Sequence, residues 1–424
     1  MRECTGDVAI RRQSDDIRHQ SPNRARRFPA GSKRTRLLRL LLASVSATAL
    51  TALSAGSAAA QVAWTGTTST DWTAGTNWSG GAVPIAGNTV NINTTSPNPT
   101  VLGVGGPAAG TSGQMIVGDT NGSFGNLTIQ NGSTLTSSSV GAAHEIGSDP
   151  GSNGTVTVTG AGSRWITSGG QTRVGASGNG TLNIQNGAEV IAQSGVSVGS
   201  FAGGTGTLNI NGGSTLQVTT LSRAVDGVAQ VNFDNAILRA RTNSAVGFIG
   251  GFLPGNLNIA AGGLTVDTQA FTVGASSSFS GVGGLTKIGS GTLVFRQNPS
   301  SYTGETVIQA GTLSLTNSGS IAASSRVVAD ATFNISGLTA AGTSIQSLAG
   351  SGAVALGAKN LTITNANDLF SGIISGTGGL TLSGGTQTLS GANTYTGATT
   401  VSGGTLAVNG SLCGAMNVLA GGTL

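Results

Sequence analysis

Apolar and polar residues alternate in short bursts along most of the chain, and each burst is framed by glycine. The segments Gly125-Asn126-Leu127-Thr128-Ile129-Gln130-Asn131-Gly132, Gly154-Thr155-Val156-Thr157-Val158-Thr159-Gly160, Gly180-Thr181-Leu182-Asn183-Ile184-Gln185-Asn186-Gly187 and Gly206-Thr207-Leu208-Asn209-Ile210-Asn211-Gly212 place their leading glycines 29, 26 and 26 residues apart. A degenerate copy, Gln230-Val231-Asn232-Phe233-Asp234, follows. Period-two alternation puts Leu127 and Ile129, Val156 and Val158, Leu182 and Ile184 on one face, and Thr and Asn on the other. Each segment therefore predicts a short strand closed by a Gly/Asn turn.

A second pattern begins further on. Gly284-Leu285-Thr286-Lys287-Ile288 through Phe295 matches Gly379-Leu380-Thr381-Leu382 through Leu389. Ser301-Tyr302-Thr303-Gly304 and Gly311-Thr312-Leu313-Ser314-Leu315 match Thr394-Tyr395-Thr396-Gly397 and Gly404-Thr405-Leu406-Ala407-Val408, both 93 residues on. No single unit of this kind folds alone. Its few inward Val, Leu and Ile stabilise by roughly 1.5–3 kcal/mol each, whereas ordering its backbone costs about 1–2 kcal/mol per residue. Stacking supplies the missing hydrogen bonds and makes the apolar column continuous. The predicted fold is all-β: a right-handed parallel β-helix, its handedness taken from the crossover rule.

Composition narrows the alternatives. The 424 residues include 71 Gly and 9 Pro, with 8% charged and 4% aromatic. Glycine at this level without a three-residue period excludes collagen, and a 38% hydrophobic share argues against disorder. The net charge of +5 is misleading, because residues 1–60 hold 11 Lys/Arg against 4 acids. The remaining body carries 9 bases and 11 acids, which removes the positive field that nucleic-acid binding needs. The body has one cysteine, Cys413, and one histidine, His144, so neither an internal disulfide nor a zinc site is expected, and no cofactor is implied.

Lys33-Arg34-Thr35-Arg36, the apolar run Leu37 to Leu53 and the small residues Ala58-Ala59-Ala60 predict a secretory signal cleaved before Gln61, with Ala58 and Ala60 at the recognition positions. The expected organisation is a signal peptide over 1–60, a Trp-rich cap with first coils over 61–122, a solenoid of 26–29-residue repeats over 123–260, and the second repeat type over 261–424. Trp64, Trp72 and Trp78 mark the cap, since an open solenoid end exposes core and strand edge.

These motifs resemble the passenger region of type V autotransporters. Gly283-Gly284-Leu285-Thr286-Lys287-Ile288-Gly289-Ser290-Gly291-Thr292-Leu293, Asn393-Thr394-Tyr395-Thr396-Gly397 and Gly403-Gly404-Thr405-Leu406 are similar to the autotransporter-associated β-strand repeat. Gly154 through Trp165 is similar to a repeat shared with exosortase-sorted proteins. The opening Trp64-Thr65-Gly66, Asp71-Trp72 and Asn77-Trp78 looks like a passenger start. The resemblance implies export through the Sec and outer-membrane assembly machinery, display at the cell surface, and a C-terminal membrane barrel. The stretch after Tyr302 shows no aromatic girdle, so the sequence is expected to be a piece of a longer chain, attached to the membrane only through that missing barrel.

Candidate chemistry is sparse. Gly195-Val196-Ser197-Val198-Gly199 satisfies a nucleophile-elbow pattern but continues a strand rather than entering a helix. Gly178-x-Gly180 and Gly204-x-Gly206 open no helix and read as turns. His144-Glu145 reads as a solvent-exposed loop pair whose side chains diverge. The densest charge cluster, Arg223, Asp226, Asp234, Arg239 and Arg241, is the place where a β-helix polysaccharide enzyme would work, with an exposed salt-bridged face as the commoner outcome. Outward Thr155, Thr157 and Thr159 suggest an ice-binding hydroxyl array, against which the unequal coil spacing argues. The expected function is a non-catalytic surface passenger for attachment or cell–cell contact, with surface glycans or proteins as partners. The alternatives are a polysaccharide-active enzyme and an ice- or surface-binding solenoid.

Overall fold

The computed structural model describes residues 60–424 apart from Val225; the signal segment, including Ala58, lies outside the described residues. Among them are 42 β-strands and one short 3-10 turn, Gly75–Asn77, with no α-helix. Every strand pairing is parallel and joins one coil to the next. Fourteen strands form sheet I, eleven sheet II and eight sheet III, while two later sheets, IV and V, have five and four. The expected β-solenoid is what the chain forms.

One coil shows the plan. Asn153–Thr159 lies in sheet III, Arg164–Ser168 in sheet II and Thr172–Val174 in sheet I, after which Asn179–Gln185 returns to sheet III. Gly125, Gly154, Gly180 and Gly206 stand in register, so unequal coil length leaves the sheet undisturbed and is taken up in the turns. The regular spacing that an outward Thr array needs is therefore met within sheet III, contrary to the inference from coil length.

These glycines point inward at a tight corner. A Cβ on Gly180 would fall inside van der Waals distance of the Gly175 amide nitrogen and the Ile146 carbonyl, and Gly154 and Gly206 meet the same obstruction one coil away. Between the corners, apolar columns fill the interior. Leu127, Val156, Leu182, Leu208, Val231 and Leu257 stack in one of them, all fully buried.

Sheet III ends at Phe279–Gly281. Beyond it the coils shorten, as the partners Thr292, Thr312, Thr332 and Ala353 on sheet I show. Tyr302 is buried in this shorter coil and its hydroxyl shares a 2.6 Å hydrogen bond with Thr306; Tyr395 and Thr399 repeat the arrangement. Lys287 occupies an inward register position, yet its Nζ donates to the carbonyls of Ile288, Gly289 and Ala310 at 2.8–2.9 Å. Burial lowers its pKa to about 8 despite the nearby Asp267 carboxylate.

The two copies of the second repeat do not share a side of the solenoid. Leu285–Ile288 and Thr292–Phe295 lie in sheets II and I, whereas Leu380–Leu382 and Gly385–Leu389 lie in sheets IV and V. Sheet V continues the side of sheet II, through the bridge between Gly350 and Phe370. The motif has turned by one face.

At the start of the described coils, Trp64, Trp72 and Trp78 are buried and pack edge to face, with centroids 4.9 and 4.7 Å apart. Asn77 ties the loop around them: its Oδ1 accepts from the Thr68 and Ser69 amides, and its Nδ2 donates to Ser69 Oγ and the Asp71 carbonyl.

Candidate functional site

A ligand meets this scaffold on its outward faces, because the interior is closely packed. The faces differ in charge. Sheet II carries a chain of alternating ions that crosses the coils. Arg164 Nε lies 3.0 Å from Glu189 Oε2, Arg239 Nη1 lies 3.7 Å from Glu189 Oε1, and Arg239 Nε lies 3.0 Å from Asp267 Oδ2. Sheet I pairs Glu145 with Arg173 at 2.8 Å, and the Arg173 guanidinium sits 4.8 Å from the Phe201 ring centroid.

The predicted cluster divides among these elements. Arg239 faces outward from Ala236–Ala240, between buried Leu238 and Ala240, and its partners are Glu189 and Asp267. Arg241 follows that strand, its amide bonded to the Val218 carbonyl. Arg223 donates to the carbonyls of Gly227 and Gly251 from the turn after sheet I, and Asp226 is exposed in the same turn. Asp234 ends a sheet III strand and accepts from the Gly262 amide at 2.7 Å. Glu189 and Asp267 were missed because the partners of Arg239 lie one or two coils away in sequence. Their signal was the repeat period itself.

His144 is not in an exposed loop. It begins the strand His144–Ile146, points inward and is fully buried, while Glu145 faces out. The Met115 amide donates to its Nδ1 at 3.2 Å, so Nε2 carries the proton and donates to the Ser168 carbonyl at 3.1 Å. Burial pushes its pKa below the ordinary 6.5, more strongly than the Ser168 carbonyl raises it. The unfolded chain takes up a proton as pH falls through about 6.5 while the folded chain resists, so stability is present above that value and declines below it. Denaturation midpoints at about pH 7.5 and about pH 5 should differ in the wild type and draw together in His144→Gln. An equal pH slope in both proteins would assign the loss to other groups.

Ser197 sits within the strand Val196–Val198 and accepts from Ser200 Oγ at 3.0 Å, which leaves the elbow pattern as solenoid strand. Among the described residues no three His, Cys, Asp or Glu side chains gather to hold a metal ion, and no helix is long and apolar enough to cross a membrane.

Sheets III and IV are the exceptions to the charged pattern, and sheet III is the longer of the two. Asp234 is the only ionisable residue in its eight strands. Its outward middle column runs Thr128, Thr157, Asn183, Asn209, Asn232, Asn258 and Ser280 in register. Asn183 Nδ2 donates to Thr157 Oγ1 at 3.3 Å, Asn209 Nδ2 to Asn183 Oδ1 at 2.9 Å, and Asn232 Nδ2 to Asn209 Oδ1 at 2.8 Å. The alternation had placed Thr and Asn on this face. The amide ladder adds the side-chain orientations that bond one coil's amide to the next, which the alternation does not state.

Comparison with known proteins agrees with these coils. The family model for the passenger-associated-transport-repeat matches residues 285–315 and 384–408, the two copies that lie on different faces. The chain carries autotransporter-passenger repeats. A relative bears on the chain more directly: over 124 residues the chain is 39% identical to the Adhesin BmaC autotransporter of Brucella suis biovar 1 (strain 1330). That stretch is 28% of this chain and 4% of the adhesin, so the chain spans a small fraction of its relative. No solved structure matches the passenger significantly. The likeness to autotransporter passengers seen in the sequence is thus borne out, and it implies a surface-exposed or secreted location.

Proposed function

We propose that this chain is a non-catalytic adhesive passenger, which holds a stiff stack of coils outside the cell for attachment. The similarity to an autotransporter adhesin carries the reading. A face of repeated polar groups supports it, since many weak contacts along one rigid surface add through multivalency. In the same reading, residues 1–60 direct export through Sec, cleavage falls between Ala60 and Gln61, and the outer-membrane assembly machinery delivers the passenger. Residues 61–122 serve as cap and first coils, with 123–260 and 261–424 as two solenoid blocks.

Cells that display the full chain are expected to adhere several-fold better than cells without it, to each other, to host cells or to a solid surface. Display demonstrated by antibody, with no gain in attachment to any of the three, would refute the adhesive role.

A further inference from the structure

We infer that the outer face of sheet III binds an uncharged polysaccharide, with the column Asn183, Asn209, Asn232 and Asn258 as its recognition row. The inference rests on the adhesive reading and names the ligand class and the surface.

Each side-chain amide has two N–H donors and a carbonyl oxygen with two lone pairs. Asn209 uses one donor toward Asn183 and one lone pair toward Asn232. Asn232 donates to Asn209 and accepts from Gln230 Nε2 at 3.1 Å. Asn183 (bonded to Thr157 and Asn209), Asn209 and Asn232 are thereby fixed in orientation, and each keeps one N–H and one lone pair for a partner outside, while Asn258 continues the column in register. Coil stacking repeats this donor–acceptor pair about every 4.8 Å along the face. Sugar hydroxyls also donate and accept, and a row of neighbouring hydroxyls on a chain of sugars meets such a row of amides.

The ground beside the column has the right shape and charge. Asn183, Asn209, Asn211, Asn232, Asp234 and Asn258 border a shallow cavity of about 340 Å³. The flanking columns add Thr155, Thr181, Thr207 and Gln230 on one side and Thr159, Gln185 and Asn211 on the other. The eight strands offer no Lys or Arg to pair a sulfate or carboxylate, and Asp234 repels both. The backbone N–H and C=O groups of these strands are consumed between coils, so a peptide strand finds no edge here. An uncharged hydroxylated polymer is the ligand that matches all three features.

The test uses the full chain and three immobilised polymers: dextran and galactomannan as uncharged probes, heparin as a sulfated one. The chain should be retained on at least one uncharged polymer and not on heparin, and high salt should leave retention unchanged. The pair Asn209→Ala and Asn232→Ala should lower affinity at least tenfold, while Arg164→Ala on sheet II should not. Because the double variant removes part of a ladder, Asn183→Thr is run beside it. Threonine already stands in that column at Thr157, so this variant keeps the fold, checked by its melting temperature, and is expected to bind several-fold more weakly.

Retention that is equal in all variants, stronger on heparin, or absent on both uncharged polymers overturns the inference. Thermal hysteresis without polysaccharide binding would also overturn it and give the face to ice. If cells displaying the chain still attach while every polymer fails, adhesion stands and the ligand class falls. If displayed chains confer no attachment yet bind dextran through the Asn row, the adhesive reading falls and the site stands.

Discussion

Gly180→Val is expected to destabilise the solenoid by about 3 kcal/mol or more, at the upper end of what inserting atoms into a packed site costs. The cause is backbone, not side chain. The new Cβ would meet the Gly175 nitrogen and the Ile146 carbonyl, both fixed in inter-coil hydrogen bonds, including Gly175 N to Ile146 O at 2.8 Å. Neither can retreat without opening the corner. Thr181→Ala, one position along and facing outward, serves as the control and should shift the denaturation midpoint little. A Gly180→Val midpoint equal to that of the control would mean the corner yields freely, and the steric account would be wrong.

Trp165→Ala is expected to cost about 3–5 kcal/mol, the range for deleting a large buried aromatic. Trp165 is fully buried on sheet II, stacked between Leu135 and Val190, and its Nε1 donates to Ser137 Oγ at 3.0 Å. Its removal leaves a cavity and strands the Ser137–Ser112 hydroxyl pair. Because backbone pairing joins each coil only to its immediate neighbours, the damage should stay local. Amide exchange should accelerate in the strands Thr134–Ser138, Arg164–Ser168 and Glu189–Ala192 and remain slow around Leu313. Uniform acceleration along the chain would instead indicate a single cooperative unit.

Much of the architecture was legible because a solenoid writes its fold as a period. The four leading glycines announced the register that stacks Gly125 on Gly154, Gly180 and Gly206. What surrounds a side chain was harder to read, since its neighbours lie one coil away rather than beside it. Grouping charges by sequence proximity put Arg239 with Arg223 and Asp226, whereas its carboxylates are Glu189 and Asp267. His144 was misplaced for a related reason. A polar residue at an inward position looks like a loop residue until the Met115 amide and the Ser168 carbonyl, from other coils, are seen to satisfy both ring nitrogens.

The rotation of the second motif by one face has a consequence for what its likeness means. Two copies with similar residues look out on different compass bearings, so nothing that approaches from one direction can read both. Their shared sequence cannot be a shared signboard. It is better understood as a folding instruction, a rung that seats itself on whatever rung precedes it regardless of heading. Sheet III is the opposite case: its Thr and Asn columns hold one bearing through successive coils and make a single frontage.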